Sequence, residues 1–157
     1  MKPFKFSLEA VATTRRRVEQ TALEHYAQAL LAKQSALSQL EAVQRDLDDA
    51  WLRLRNTLES GCSASAVTRL RQESHYLEDD RKLREETLAQ AERAVSQALQ
   101  QMLAARQQRE TVEKFRGTQR LAHDRDEQRE TQKFLDEMAT QRAAPSQAWR
   151  TEANSHS

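Results

Sequence analysis

Catalysis and metal binding need titratable or nucleophilic side chains brought to one point. The candidates in this chain are four histidines, one cysteine and a few clustered acids. His25, His75, His123 and His156 are scattered, and no two have the i, i+4 spacing that sets two imidazoles on one helix face. Asp48-Asp49, Asp79-Asp80 and Glu85-Glu86 are adjacent pairs, and neighbours on a helix diverge by about 100°. His123-Asp124-Arg125-Asp126-Glu127 holds potential ligands, but the interleaved arginine makes it read as salt-bridged surface. Cys62 is the single cysteine, which excludes an intramolecular disulfide and fits a reducing compartment. There is no Gly-rich phosphate loop and no Gly-x-Ser-x-Gly nucleophile elbow. No catalytic residue, metal site or cofactor is expected, and the chain does not read as an enzyme.

The elements that carry these residues point the same way. Of 157 residues, 38% are hydrophobic, 31% charged and 5% aromatic, with two glycines, two prolines and a mean hydropathy of −0.91. Helix-forming residues in a 3.5-residue rhythm are the composition of coiled coils, which bury a stripe and enclose no interior. Twenty-five basic and 24 acidic residues leave a net charge of +1, so nothing draws the whole molecule to nucleic acid. Arg15-Arg16-Arg17 would point in three directions on a helix and reads as solvated. The absence of a long apolar run predicts no membrane insertion, and Met1 to Ser7 lack the apolar core of a secretory signal.

The only mid-chain run of small residues is Ser60-Gly61-Cys62-Ser63-Ala64-Ser65. It predicts a reversal, with Gly61 supplying the positive φ that closes a helix and Ser63 or Ser65 capping the next. The fold class is therefore all-α: a long two-helix antiparallel coiled-coil hairpin. As one domain over 1–144, it has helix 1 at about 7–59, a turn at 60–65 and helix 2 at about 66–143, and 145–157 follow as a disordered tail. The first seam is read through Tyr26, Leu30, Lys33, Leu37, Leu40, Gln44, Leu47, Trp51, Leu54 and Leu58, preceded by a stutter at Val18-Ala22-Tyr26. The second is read through Val67, Leu70, Ser74, Leu77, Arg81, Arg84, Leu88 and onward to Val112. Folding about Gly61 predicts partners whose numbers sum to roughly 125. A helix of about 50 residues then spans roughly 75 Å. A dimer of hairpins is the competing arrangement.

Aromatic placement is the unusual feature. Trp51 and Tyr76 fall one to two turns either side of the reversal, beside Leu54 and Leu77. Phe4, Phe6, Phe115, Phe134, Leu135 and Met138 concentrate near the other end. Apolar groups at two ends of a charged shaft suit a connector between proteins.

Two stretches resemble the flagellar FliJ family. Phe4-Lys5-Phe6-Ser7-Leu8-Glu9-Ala10-Val11 is similar to its opening, and Gln132-Lys133-Phe134-Leu135-Asp136-Glu137-Met138-Ala139-Thr140-Gln141-Arg142-Ala143 to its closing signature. The resemblance implies a cytoplasmic component of the flagellar type III export apparatus, held at the inner membrane through that apparatus. It implies a stalk-like coiled coil that binds the export ATPase ring and the export-gate membrane protein and handles export chaperones. On that basis Phe6, Phe134, Leu135, Asp136, Glu137 and Met138 would face the ATPase. Trp51, Leu54, Tyr76 and Leu77 would face the gate. The alternatives are the equivalent stalk of a virulence injectisome, a generic coiled-coil adaptor, and a nucleic-acid binder using Arg15 to Arg17, which the near-zero net charge disfavours.

Overall fold

A computed structural model of the chain describes residues 3–143. The order of elements is α1 (Glu9–Ser60) and α2 (Ala64–Ala143), two long helices packed against each other. The tail expected over 145–157 lies outside the described residues. The described chain falls into two compact units: residues 14–108, and residues 3–13 together with 109–143.

The unit of residues 14–108 is an antiparallel helix pair. Ser60 ends α1, and Gly61 follows at φ 76°, a left-handed conformation only glycine adopts without strain. Ser63 caps α2: its Oγ accepts from the Ala66 N–H at 3.4 Å, and its carbonyl accepts from Ala66 and Val67 at 3.1 and 3.3 Å. The loop is thus three residues, 61–63, shorter than the run of small residues suggests, because Ala64 and Ser65 join the helix. Cross-helix contacts fix the register. Arg53 meets Glu73 at 2.8 Å, Arg84 Nη1 donates to Gln39 Oε1 at 2.6 Å, and Arg15 Nη1 donates to Gln108 Oε1 at 2.6 Å. These pairs agree with the expected sum near 125.

The α2 seam matches the sequence reading. Ser74, Ala98 and Ala105 are buried, and Val67, Leu70, Leu77, Leu88 and Val95 are half-buried. The Ser74 hydroxyl is satisfied by donating to the Leu70 carbonyl at 3.0 Å, so burying it leaves no orphan donor. The α1 seam agrees with that reading at Tyr26, Lys33, Leu40, Leu47 and Leu54 and falls one residue earlier at the alternate positions. Ala36, Val43, Leu47, Ala50 and Leu54 are buried, and Arg15, Glu19, Ala22, Tyr26, Ala29, Lys33, Leu40 and Thr57 are half-buried. From Arg15 to Thr57 these positions alternate by four and three without interruption, so the expected stutter is absent. Leu37, Gln44, Trp51 and Leu58 sit beside the seam, while Ala36, Val43, Ala50 and Thr57 occupy it. Small seam residues let two helices approach closely, and the larger neighbours are displaced to the flank.

In the other unit the chain runs in non-helical conformation from residue 3 to residue 6, and Glu9 N–H closes on the Phe6 carbonyl at 3.3 Å. Helix α1 therefore starts at Glu9, two residues later than expected. Phe6 is 8% exposed and Ala12 2%, with Phe6 packed on Phe115 of α2. Helix α2 continues through Gly117 without a break, and residues 128–143 are exposed along their whole length.

Candidate functional site

The candidate sites are surfaces. Near the loop, Trp51 and Leu58 from α1 and Arg71, His75, Tyr76 and Asp79 from α2 line one shallow groove. The register brings the aromatics together as expected, and both are open: Trp51 is 47% exposed and Tyr76 72%. Leu54 is different. At 5% exposure it forms the groove's floor and contributes packing instead of an accessible contact. Leu77 is half-buried and lies on the other flank, where it lines a smaller depression with Leu52, Asp46, Arg53 and Glu73. One flank of the helix pair near the loop is thus aromatic and the other is held by the Arg53–Glu73 ion pair.

The second surface is the exposed end of α2. Phe134, Leu135 and Met138 are exposed apolar side chains beside exposed Asp136 and Glu137. The Gln132 side chain donates to Asp136 Oδ1 at 2.9 Å, and Thr140 Oγ1 donates to the Asp136 carbonyl at 2.8 Å. Large apolar groups left in water on a continuous helix are unusual unless something covers them.

Phe6 does not join that group. Its ring packs on Phe115 at 6.2 Å between centroids, and the Arg116 guanidinium lies 5.6 Å over it. Arg116 also reaches Glu9 at 3.3 Å. Phe4 meets His123 edge to face at 5.6 Å. These contacts clip the N-terminal segment onto α2. Sequence reasoning grouped Phe4, Phe6 and Phe115 at one end but missed Arg116 and His123 as their partners. The alternation Phe4-Lys5-Phe6 was the available signal: it turns both rings to one side of an extended segment.

His123, Asp124 and Glu127 bring ligand atoms within 4.8 Å of one another, with His123 Nδ1 3.7 Å from Asp124. Asp126 pairs at 3.6 Å with Arg129, one turn beyond that stretch. Cys62 is exposed in the loop. Among the described residues, no helix is long and apolar enough to cross a membrane.

Helices with a heptad seam and exposed apolar patches define the class of coiled-coil proteins that act through their surfaces. The family model described as "Flagellar FliJ protein" matches residues 4–148, nearly the whole chain, and the chain belongs to the FliJ family. That membership makes it a component of the flagellar export system. No curated protein and no solved structure matches the chain.

Proposed function

We propose that this protein is the central-stalk-like coiled coil of a flagellar type III export apparatus, binding the export ATPase ring through the exposed end of α2 and the export gate through the groove near the loop. The observation that carries this reading is the pairing of family membership with two separate exposed apolar groups: Trp51 with Tyr76, and Phe134 with Leu135 and Met138. A heptad-packed helix pair has no enclosed site for chemistry, so such groups are where partners would be met. Their small size suits contacts that form and release during an export cycle, since large apolar interfaces are typically permanent. Asp136 and Glu137 flank the apolar group on α2 and would orient it against a basic ring surface. Handling of export chaperones belongs to the same reading, as does peripheral association with the inner membrane through the gate.

Co-purification of the full chain with the export ATPase tests the first contact. Truncation after Glu127 removes exposed helix and leaves the Phe6 and His123 contacts in place. Loss of ATPase binding on truncation supports the assignment, and undiminished binding overturns it. Trp51→Ala with Tyr76→Ala should abolish capture by the gate's cytoplasmic portion and leave ATPase binding intact.

A further inference from the structure

Helix α1 carries a second apolar row beside its seam in the unit of residues 14–108. Leu23, Leu30, Leu37, Gln44, Trp51 and Leu58 follow one another at intervals of seven, and five of the six are apolar. The intramolecular pairing leaves most of this row open: Leu23, Leu30, Trp51 and Leu58 are between 41% and 52% exposed, and Leu37 and Gln44 between them are half-buried. A seven-residue period keeps a row on one flank of a packed helix, so these side chains form a continuous strip about 52 Å long.

The borders of the strip are acidic. Trp51 and Leu58 share a groove with Glu78 of α2, and steps of seven from Glu78 lead to Glu85 and Glu92 along the same flank. On the outer side, Glu41 and Asp48 stand two turns apart in the α1 row that follows the strip. Glu78 stands 3.6 Å from the His75 ring nitrogen, and Glu85 stands 3.6 Å from Arg81, which takes up part of its charge. The basic residues of these rows are Arg71 and Arg106 toward the ends of the first and Arg55 in the second.

We propose that this strip is the docking surface for an amphipathic helix whose apolar face is bordered by lysine or arginine, which would complete a three-helix packing over residues 23–58. A second copy of the chain is the natural competitor. An antiparallel α1–α1 pairing would match Leu23 with Leu58 and Leu30 with Trp51. It would also bring Glu41 beside its own image at the centre of the pairing, with Asp48 opposite Gln34, and the juxtaposed like charges at the centre disfavour that pairing. A basic border meets both acidic rows with opposite charge. The proposal extends well beyond the groove near the loop and does not depend on the identity of the gate or the ATPase.

The test uses the full chain and two synthetic peptides of about four heptads, each with leucine in the apolar row, one bordered by lysine and its twin by glutamate. Fluorescence anisotropy should show the lysine peptide binding at least about tenfold more tightly than its twin, with that preference shrinking as salt is raised. Leu30→Ser should weaken binding by about tenfold, while Leu31→Ser, on the neighbouring exposed face, leaves it unchanged. Both side chains are exposed, so both variants keep the fold, which circular dichroism checks. Equal binding of the two peptides, no binding of the lysine peptide, or indifference to Leu30→Ser overturns the proposal. Sedimentation showing a dimer that Leu30→Ser dissolves assigns the strip to a second copy and also overturns it.

Discussion

The Phe6 ring lies beneath the Arg116 guanidinium, 5.6 Å from its carbon, and is the most buried aromatic among the described residues. The contact joins an extended segment to a helix more than a hundred residues away in sequence, and Glu9 supplies the opposite charge for the same arginine. Cation–ring attraction adds roughly 0.5–1 kcal/mol at a partly exposed site, and burial of the ring adds more.

Phe6→Ala should therefore loosen the N-terminal clip by about 2 kcal/mol, less than for a deep core because the cavity opens to water. Hydrogen exchange should show the effect locally. Amides in the first turns of α1 and around Phe115 exchange faster, while those near Leu47 and Leu54 keep their protection. Uniform acceleration along both helices would show that the clip is coupled to the whole structure.

The seam phase of α1 makes a sharper prediction. Ala50 is 1% exposed and Trp51 is half exposed, although the two are adjacent. Ala50→Leu should force the helices apart and cost about 1–3 kcal/mol in chemical denaturation. Leu37→Ala, beside the seam, should cost less than the same change at Leu47, which is 2% exposed. The reverse order would restore the seam read from the largest side chains.

That contrast shows what the sequence carries. The reversal at Gly61, the pairing register and the α2 seam were readable, because turn chemistry and spacing are local properties. In the α1 seam Tyr26, Lys33, Leu40, Leu47 and Leu54 were readable too, while the alternate positions fall one residue before Leu30, Leu37, Trp51 and Leu58, whose bulk imitates a seam. Two closely approaching helices select instead for Ala36, Val43 and Ala50. The partners of Phe4 and Phe6 were not readable for a different reason: nothing local in Phe4-Lys5-Phe6 specifies Arg116 or His123. Of the candidate contacts, Trp51, Tyr76, Phe134, Leu135 and Met138 are on the surface, and Leu54 and Phe6 are committed to packing.

The two glycines should respond in opposite directions to alanine. Gly61 sits at φ 76°, where a side chain is strained even with open space around it, so Gly61→Ala should destabilise by about 1–2 kcal/mol. Gly117 is helical with nothing within 4 Å of an added Cβ, so Gly117→Ala should stabilise by about 0.5–1 kcal/mol. Thermal denaturation of the two variants beside the parent checks both signs.

The ion pair near the loop should contribute little. Arg53 and Glu73 are 57% and 41% exposed, and a pair in that environment is worth about 0.2–1 kcal/mol. A double-mutant cycle with Arg53→Ala and Glu73→Ala should give a coupling in that range that fades as salt is raised. A coupling that persists at high salt would mean the pair is less hydrated than its exposure implies.

Trp51 and Tyr76 separate a contact role from a packing role. A tryptophan that filled the core would cost about 3–5 kcal/mol on truncation, whereas one left half in water should cost under about 1 kcal/mol. Trp51→Ala and Tyr76→Ala should therefore leave the denaturation midpoint nearly unchanged, while Leu54→Ala, on the buried floor of the same groove, lowers it clearly. With Trp149 replaced by phenylalanine, Trp51 becomes the single indole, and acrylamide should quench its emission readily in the free protein. Protection of that emission on adding a partner would identify the groove as the surface covered. Emission already shielded in the free protein would mean that Trp51 is core, and the gate contact would have to be sought elsewhere.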